Sequence, residues 1–352
     1  MIALIGEPGF AALIGLISGI VLGLAARLGR FCTLGAIEDQ LYGNDCTRLR
    51  MWGVAIGSAM VLSFVAMALG LVDPTESFYL SETWSLAAAI LGGLAFGYGM
   101  ALAGNCGYGA LARAGGGDLR SLVIVLVMGL AAYATLSGPL AGLRTSLFPR
   151  MEATAPQGIA HVLGPLIGMP IWLVGCVIGV VIIAASIVGP VHGVIRLGGL
   201  IWGTIVGLAI AFAWIATSWL NQTGFDELPV VSHTFSAPIG EFLLYVMTSS
   251  GAHLSFGIGS VAGVVAGAFL GSFERGQFRW EACDDPRELR RQIMGAVLMG
   301  WGAVTASGCS IGQGLSAFSF LAFSAPVTLI AIWIGAALGL RKLMTGYLLP
   351  TL

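Results

Sequence analysis

Runs of about twenty apolar residues recur along this chain, and a helix needs roughly that length to cross a bilayer. Nine stand out, at 8–28, 51–72, 84–104, 119–141, 165–189, 197–217, 252–273, 292–307 and 322–340. Backbone groups in hydrocarbon must satisfy their own hydrogen bonds, so such runs predict helices and not open sheet. Charged residues make up only 9% of the sequence, far below the roughly 25% of a soluble domain. The expected fold is an all-α integral membrane protein, one transmembrane domain over residues 1–352. The loops are short, so no soluble catalytic domain is expected. A formal net charge of −1 argues against nucleic acid as a partner.

Four further segments, at about 31–42, 105–114, 236–248 and 309–318, are too short to cross. They read as half-depth helices, which are tolerated at membrane depth only when buried in protein or facing a watery cavity. Positive charge gives the orientation. With the N-terminus outside and nine alternating spans, 14 of the 16 Lys and Arg residues fall inside, and only Arg144 and Arg150 fall outside. The positive-inside rule then predicts an N-out, C-in topology. Met1 to Gly9 carries Glu7 and no basic residue, so the first run reads as a retained helix and not a cleaved signal peptide.

A shift of 203 residues places Gly92 on Gly295, Gly97 on Gly300, Gly99 on Gly302, Ala103 on Ala306, Cys106 on Cys309 and Gly109 on Gly312. A weaker similarity links Gly15, Gly19 and Gly23 to Gly259, Gly263 and Gly267. The third and eighth spans cross in opposite directions. The halves, about 8–141 and 165–340, therefore read as inverted-topology repeats, a plan of many secondary transporters.

Three cysteines share one setting. Cys32-Thr33-Leu34-Gly35, Cys106-Gly107-Tyr108-Gly109 and Cys309-Ser310-Ile311-Gly312 each begin near a short predicted helix, with Gly29, Gly104 or Gly308 just upstream. Glycine lets the backbone turn sharply or approach a ligand closely. A helix start offers unpaired N–H groups and partial positive charge. A thiol adds a weak donor and a soft, polarisable acceptor. Weak, repeated contacts suit conduction, because the guest must also leave. Cys32, Cys106 and Cys309, with Gly35, Gly109 and Gly312, are the candidate substrate-binding set.

Asn105 and Gln313 flank two of the thiols; their amides could meet an anion or serve as caps and interhelical bonds. Arg30 and Arg113 could set a positive potential near the inner exit or anchor helix ends. Glu241 reads as a candidate proton site or as a carboxylate complementing a helix dipole. Cys46, Cys176 and Cys283 read as incidental. There is no Cys-x-x-Cys, and His161, His192, His233 and His253 share no ligand spacing; no metal, cofactor or disulfide framework is expected. Two other classes stay open on the residues alone: an intramembrane enzyme passing sulfur or electrons between thiols, and a glycine-rich channel for small neutral solutes.

Gly-Arg-Phe-Cys-Thr-Leu-Gly (29–35), Gly-Asn-Cys-Gly-Tyr-Gly (104–109) and Ser-Gly-Cys-Ser-Ile-Gly-Gln-Gly (307–314) resemble the motifs of the YeeE/YedE family of bacterial inner-membrane sulfur transporters. The resemblance extends over essentially the whole chain. It implies thiosulfate import, with the ion relayed through weak sulfur hydrogen bonds to the three cysteines, and an hourglass-like α-helical fold. Some members are linked to other sulfur or selenium compounds. The expected partners are thiosulfate or a related small sulfur anion, the lipid bilayer and a cytoplasmic sulfur-handling protein; no enzymatic activity is expected.

Overall fold

The computed structural model describes residues 2–188, 197–225, 227–251, 253–282 and 285–346. Arg196, His192 and Cys283 lie outside the described residues. Regular structure among the described residues is helical throughout. The long helices are α1 (Ile2–Arg27), α3 (Thr47–Ala68), α5 (Leu86–Ala103), α7 (Leu119–Leu136), α10 (Ile171–Ile187), α11 (Leu197–Thr223), α13 (Phe256–Glu274), α14 (Pro286–Thr305) and α15 (Ser324–Thr345). Between them lie α2 (Thr33–Tyr42), α4 (Phe78–Ser81), α6 (Gly107–Gly115), α8 (Ala141–Leu147), α9 (Ile159–Ile167) and α12 (Ala237–Thr248). The fourth expected short helix covers 310–319, and its middle, Gly312–Ala317, is wound as a π-helix.

All nine apolar runs fall on helices, with two differences. Among the described residues, seven helices are long and apolar enough to cross a bilayer, or eight if α9 and α10 count as one bent span. The run expected at 165–189 is that bent pair, broken by 111°. Gly168 ends α9 in the left-handed region and Pro170 opens α10, so neither residue can carry a helix straight on. The run expected at 292–307 extends back to Pro286, where Arg287, Glu288, Arg290 and Arg291 occupy its first two turns.

Glycine seams hold the long helices together. Gly15, Gly19 and Gly23 of α1 lie on α13, and an added methyl would collide with the Phe256, Ser260 and Val264 carbonyls. On α13, Gly259, Gly263 and Gly267 in turn leave no room for a methyl against Ala12, Leu16 and Ile20. The two glycine triplets that look alike in sequence are thus the two sides of one seam between helices running in the same direction. Helix α5 is gripped on two sides. Gly92 faces Gly302 and Gly99 faces Gly295 on α14, while Gly97 lies against Ile332 of α15. Small residues let backbones approach, which is the usual basis of helix association in lipid.

The short helices fill the interior of this frame. Helix α6 packs among α1, α7 and α13; α12 bridges α7 and α13; α2 lies against α3 and α15. The π-helical segment lies on α15, α3 and α11.

The Gly97→Ala variant is expected to lose about 1–3 kcal/mol of stability from overpacking, whereas Gly142→Ala, where an added methyl meets nothing within 4 Å, should be neutral. Thermal unfolding of both variants in one detergent provides the comparison.

Candidate functional site

Each of the three motif cysteines is the N-cap of its short helix. Cys32 Sγ accepts a hydrogen bond from the Gly35 amide at 3.4 Å, and Cys106 Sγ accepts one from the Gly109 amide at 3.3 Å. Cys309 Sγ accepts from the Gly312 amide at 3.5 Å. The Cys-x-x-Gly spacing is therefore that of an N-cap side chain and the third helical amide. Sulfur here does what Ser or Asp oxygen usually does, and its softer lone pairs hold the amide loosely. The glycine at the third position has a steric cause in two of the three copies. A methyl on Gly35 would collide with the Arg48 guanidinium, and one on Gly312 would lie 2.5 Å from Thr234 Oγ1. At Gly109 the nearest atom would be Cys106 Sγ at 3.6 Å, an ordinary contact.

A left-handed residue stands two positions before each thiol: Arg30 (φ 55°), Gly104 (φ 76°) and Ser307 (φ 64°). This residue breaks the regular helix geometry just before each thiol; across Gly104 the path continues, so that α5 and α6 together form one broken span, Leu86–Gly115. Gly29, expected to provide that turn, instead packs against Trp202 and the Ala25 carbonyl. The strain of a non-glycine residue at positive φ is thus carried at Arg30 and Ser307.

The three motifs converge. Thr33, next to Cys32, points its hydroxyl at Cys106 Sγ, 4.0 Å away. Cys106 lies within electrostatic range of both Cys32 and Cys309, and the Ser310 side chain lies against it. The Ser310 hydroxyl is buried beside that sulfur. Cys309 Sγ also accepts from the Phe235 amide at 3.2 Å and meets Thr234 Oγ1 at 3.7 Å. Phe235 and Thr234 lie at the break before α12, the short helix that carries no cysteine. A chain of rings laces these segments: Phe31 stacks on Trp52 at 4.7 Å, meets Tyr108 at 6.4 Å, and Tyr108 meets Phe235 at 5.5 Å. The Tyr108 hydroxyl donates to the Leu22 carbonyl at 2.6 Å, so the ring is pinned.

Two cavities approach this cluster. One, of about 590 Å³, is lined by Tyr79, Arg144, Arg150, Thr234, Ser307 and Gly308 among others. The second, of about 270 Å³, is lined by Cys32, Gly35, Asn105 and Gly109 together with Arg27, Arg30, Arg48, Arg113 and Arg275. Cys106 and Cys309 line neither cavity and are essentially buried. Both cavities carry net positive charge, with Glu82 also lining the first and Glu38 the second. Arg144 donates to the Thr135 and Leu136 carbonyls at the end of α7, and Arg150 to those of Val304 and Thr305 at the end of α14. They offset the negative ends of those helix dipoles, which would otherwise face the larger cavity.

The remaining sequence candidates are placed as follows. Asn105 is buried at the wall of the smaller cavity beside Gly109. Gln313 lines no described cavity. Its amide donates to the Ala306 and Ser307 carbonyls, and its oxygen accepts from Ser324, so it braces the left-handed turn before Cys309. Glu241 lies in the second turn of α12, not the first, and accepts from Ser255 at 3.4 Å. It lines a side cavity of about 340 Å³ that shares Thr234 and Ser232 with the larger one. Arg113 and Arg30 both line the smaller cavity. Cys46 donates to Gln40, and Cys176 to the Val61 carbonyl. Among the described residues no group of His, Cys, Asp and Glu has the makings of a metal site.

Sequence reasoning did not single out Tyr79, Thr234 or the Phe235 amide. They come from the short helix α4 and from the cysteine-free break, and only tertiary structure brings them to Cys309. A methyl on Gly312 would lie 3.1 Å from the Tyr79 hydroxyl, so that phenol covers the start of the Cys309 helix from the larger cavity.

Long apolar helices enclosing broken ones define a multi-pass membrane protein. The profile of a family described as sulphur transport matches residues 28–338, and the chain belongs to that family. Its relatives include the thiosulfate transporter TsuA of Escherichia coli strain K12, 25% identical over 336 residues, which are 91% of each chain. The thiosulfate transporter TsuA of Spirochaeta thermophila is 25% identical over 324 residues, 88% of this chain and 92% of its own.

Crowding separates the glycines. Gly312→Ala is expected to destabilise the fold by about 1–3 kcal/mol, and Gly109→Ala to leave it unchanged, as read by thermal unfolding.

Proposed function

We propose that this protein imports thiosulfate, or a closely related small sulfur anion, across the bacterial inner membrane, handing the intact ion from Cys309 to Cys106 to Cys32. The observation that carries the proposal is the position of Cys106. It is buried between the Cys32 and Cys309 segments, and each of those segments reaches one of the two cavities. The names of the relatives support the substrate.

The ion gathers in the cavity with Arg144 and Arg150, the side assigned to the exterior by the positive-inside rule. The nine runs then act as nine spans, N-out and C-in, with halves 8–141 and 165–340 as inverted repeats. An isolated anion in hydrocarbon is very costly, so its lost water must be replaced at each step. Tyr79 and Thr234 hydroxyls offer the first donors. The three thiols follow, each with helix-start amides behind it. The smaller cavity, rich in arginine, receives the ion and passes it to a cytoplasmic sulfur-handling protein. Asn105 donates to the ion at the Cys106 exit, whereas Gln313 acts by holding the turn before Cys309. Glu241 stands beside this line and takes no step in it. The ion moves by binding alone; no bond to sulfur forms or breaks.

Cys→Ser variants test the relay, because serine is a good N-cap. Cys106→Ser, Cys309→Ser and Cys32→Ser should unfold at or above the wild-type temperature yet lose at least tenfold in uptake of radiolabelled thiosulfate into proteoliposomes. Wild-type uptake by all three would refute the relay and leave the thiols as mere caps. A persulfide accumulating on any of them during turnover, seen by mass spectrometry, would point to a sulfur-transfer enzyme.

The hydroxyl pair gives a second test. Tyr79→Phe and Thr234→Val are each expected to raise the KM for thiosulfate several-fold with little change in maximal rate. Unchanged KM in both would remove these residues from the route.

A further inference from the structure

Helices α7 and α13 are joined mainly through α6 and α12, which pack against both. Both bridges are short, and α12, the shortfall that matters here, has only 12 residues. It rises about 18 Å, little more than half of a hydrocarbon core of about 30 Å. Beside Phe242 and Leu243 of α12 the space between α7 and α13 is left open as a groove of about 590 Å³. Leu111 and Ala114 of α6 form the floor, and Leu126, Phe242, Val265 and Ala266 are among its walls. No charged residue and no hydroxyl lines it.

The groove is continuous with the outer face of the bundle. Leu122 and Leu126 on one lip are 44% and 39% exposed, and Phe269 on the other is 43% exposed. These residues belong to helices apolar enough to span a membrane, so that face meets lipid. At one end lies Trp280, 71% exposed and followed by the Glu281 carboxylate. Tryptophan is enriched where hydrocarbon meets headgroups, which sets that end at the membrane surface. Apolar cavities stay dry, and an empty groove would forfeit dispersion contacts along its whole lining.

We propose that this groove is a binding site for one acyl chain of a bilayer phospholipid, which enters beside Trp280 and runs inward along α6. The chain covers the flank of α6 that carries Leu111 and Ala114, opposite the cavity lined by Arg113. Helix α6 begins at Cys106, so a lipid supplies part of the wall that holds that helix in place. The site is independent of what the protein transports.

Ala266→Phe places a ring in the groove where the chain would lie; Ala262→Phe, from the same wall, is the alternative if the first variant does not fold. Purified wild-type protein, incubated with palmitoyl-oleoyl phosphatidylethanolamine and examined by native mass spectrometry, should retain one phospholipid that the Phe variant lacks. Adding the lipid back after delipidation should raise the unfolding temperature of the wild type and not that of the variant. Equal retention, or equal stabilisation of both proteins, would overturn the proposal. A phospholipid with a photoreactive acyl chain gives a readout on the wild type alone. Crosslinks to peptides bearing Leu126, Phe242 or Val265 are expected, and crosslinks confined to other faces would overturn the site.

Discussion

A thiol bonded to the third amide of a broken helix is the contact on which this architecture turns. A helix that starts inside a membrane leaves its first amides without partners, and nothing in lipid can satisfy them. A strong oxygen cap would satisfy them permanently. Sulfur holds them at 3.3–3.5 Å with a weaker, more polarisable acceptor. The amides are stable in the empty protein and remain available to a soft anion. On the proposed route, capping and conduction are two uses of the same three atoms.

That contact is useful only if the three helix starts meet, and the glycine seams arrange this. The seam between α1 and α13 and the double grip on α5 bring backbones close enough to leave little room for anything but glycine. The segments that follow α1, α5 and α14 then break at the left-handed residues Arg30, Gly104 and Ser307 and deliver Cys32, Cys106 and Cys309 to one region. The aromatic chain from Trp52 through Phe31 and Tyr108 to Phe235 fixes their separation. Rigid surroundings matter because sulfur contacts are weak, and small displacements would lose them.

Much of this was legible in the sequence. Apolar run length gave the helices, and the recurrence of Cys-x-x-Gly marked the helix starts, since that spacing joins an N-cap to its amide. Run length was a poorer guide where an element starts polar, as in α14, or where a Gly-Met-Pro break bends a span, as between α9 and α10. The left-handed turns at Arg30 and Ser307 were hidden, because neither residue type favours positive φ; tertiary packing imposes it. Tyr79 and Thr234 carried no local signal at all. Gln313 shows the limit of reading by adjacency. It sits four residues after Cys309, yet its amide is turned inward to brace a backbone.

The most direct test of the central claim is to locate the guest. Selenosulfate carries a selenium atom in place of the terminal sulfur, and its anomalous signal can be mapped in crystals of the protein soaked with it. Selenium peaks within contact distance of Cys309, Cys106 or Cys32, on the line joining the two cavities, are the expected result. Peaks confined to sites remote from all three sulfurs, with the thiols still bonded only to their glycine amides, would contradict it.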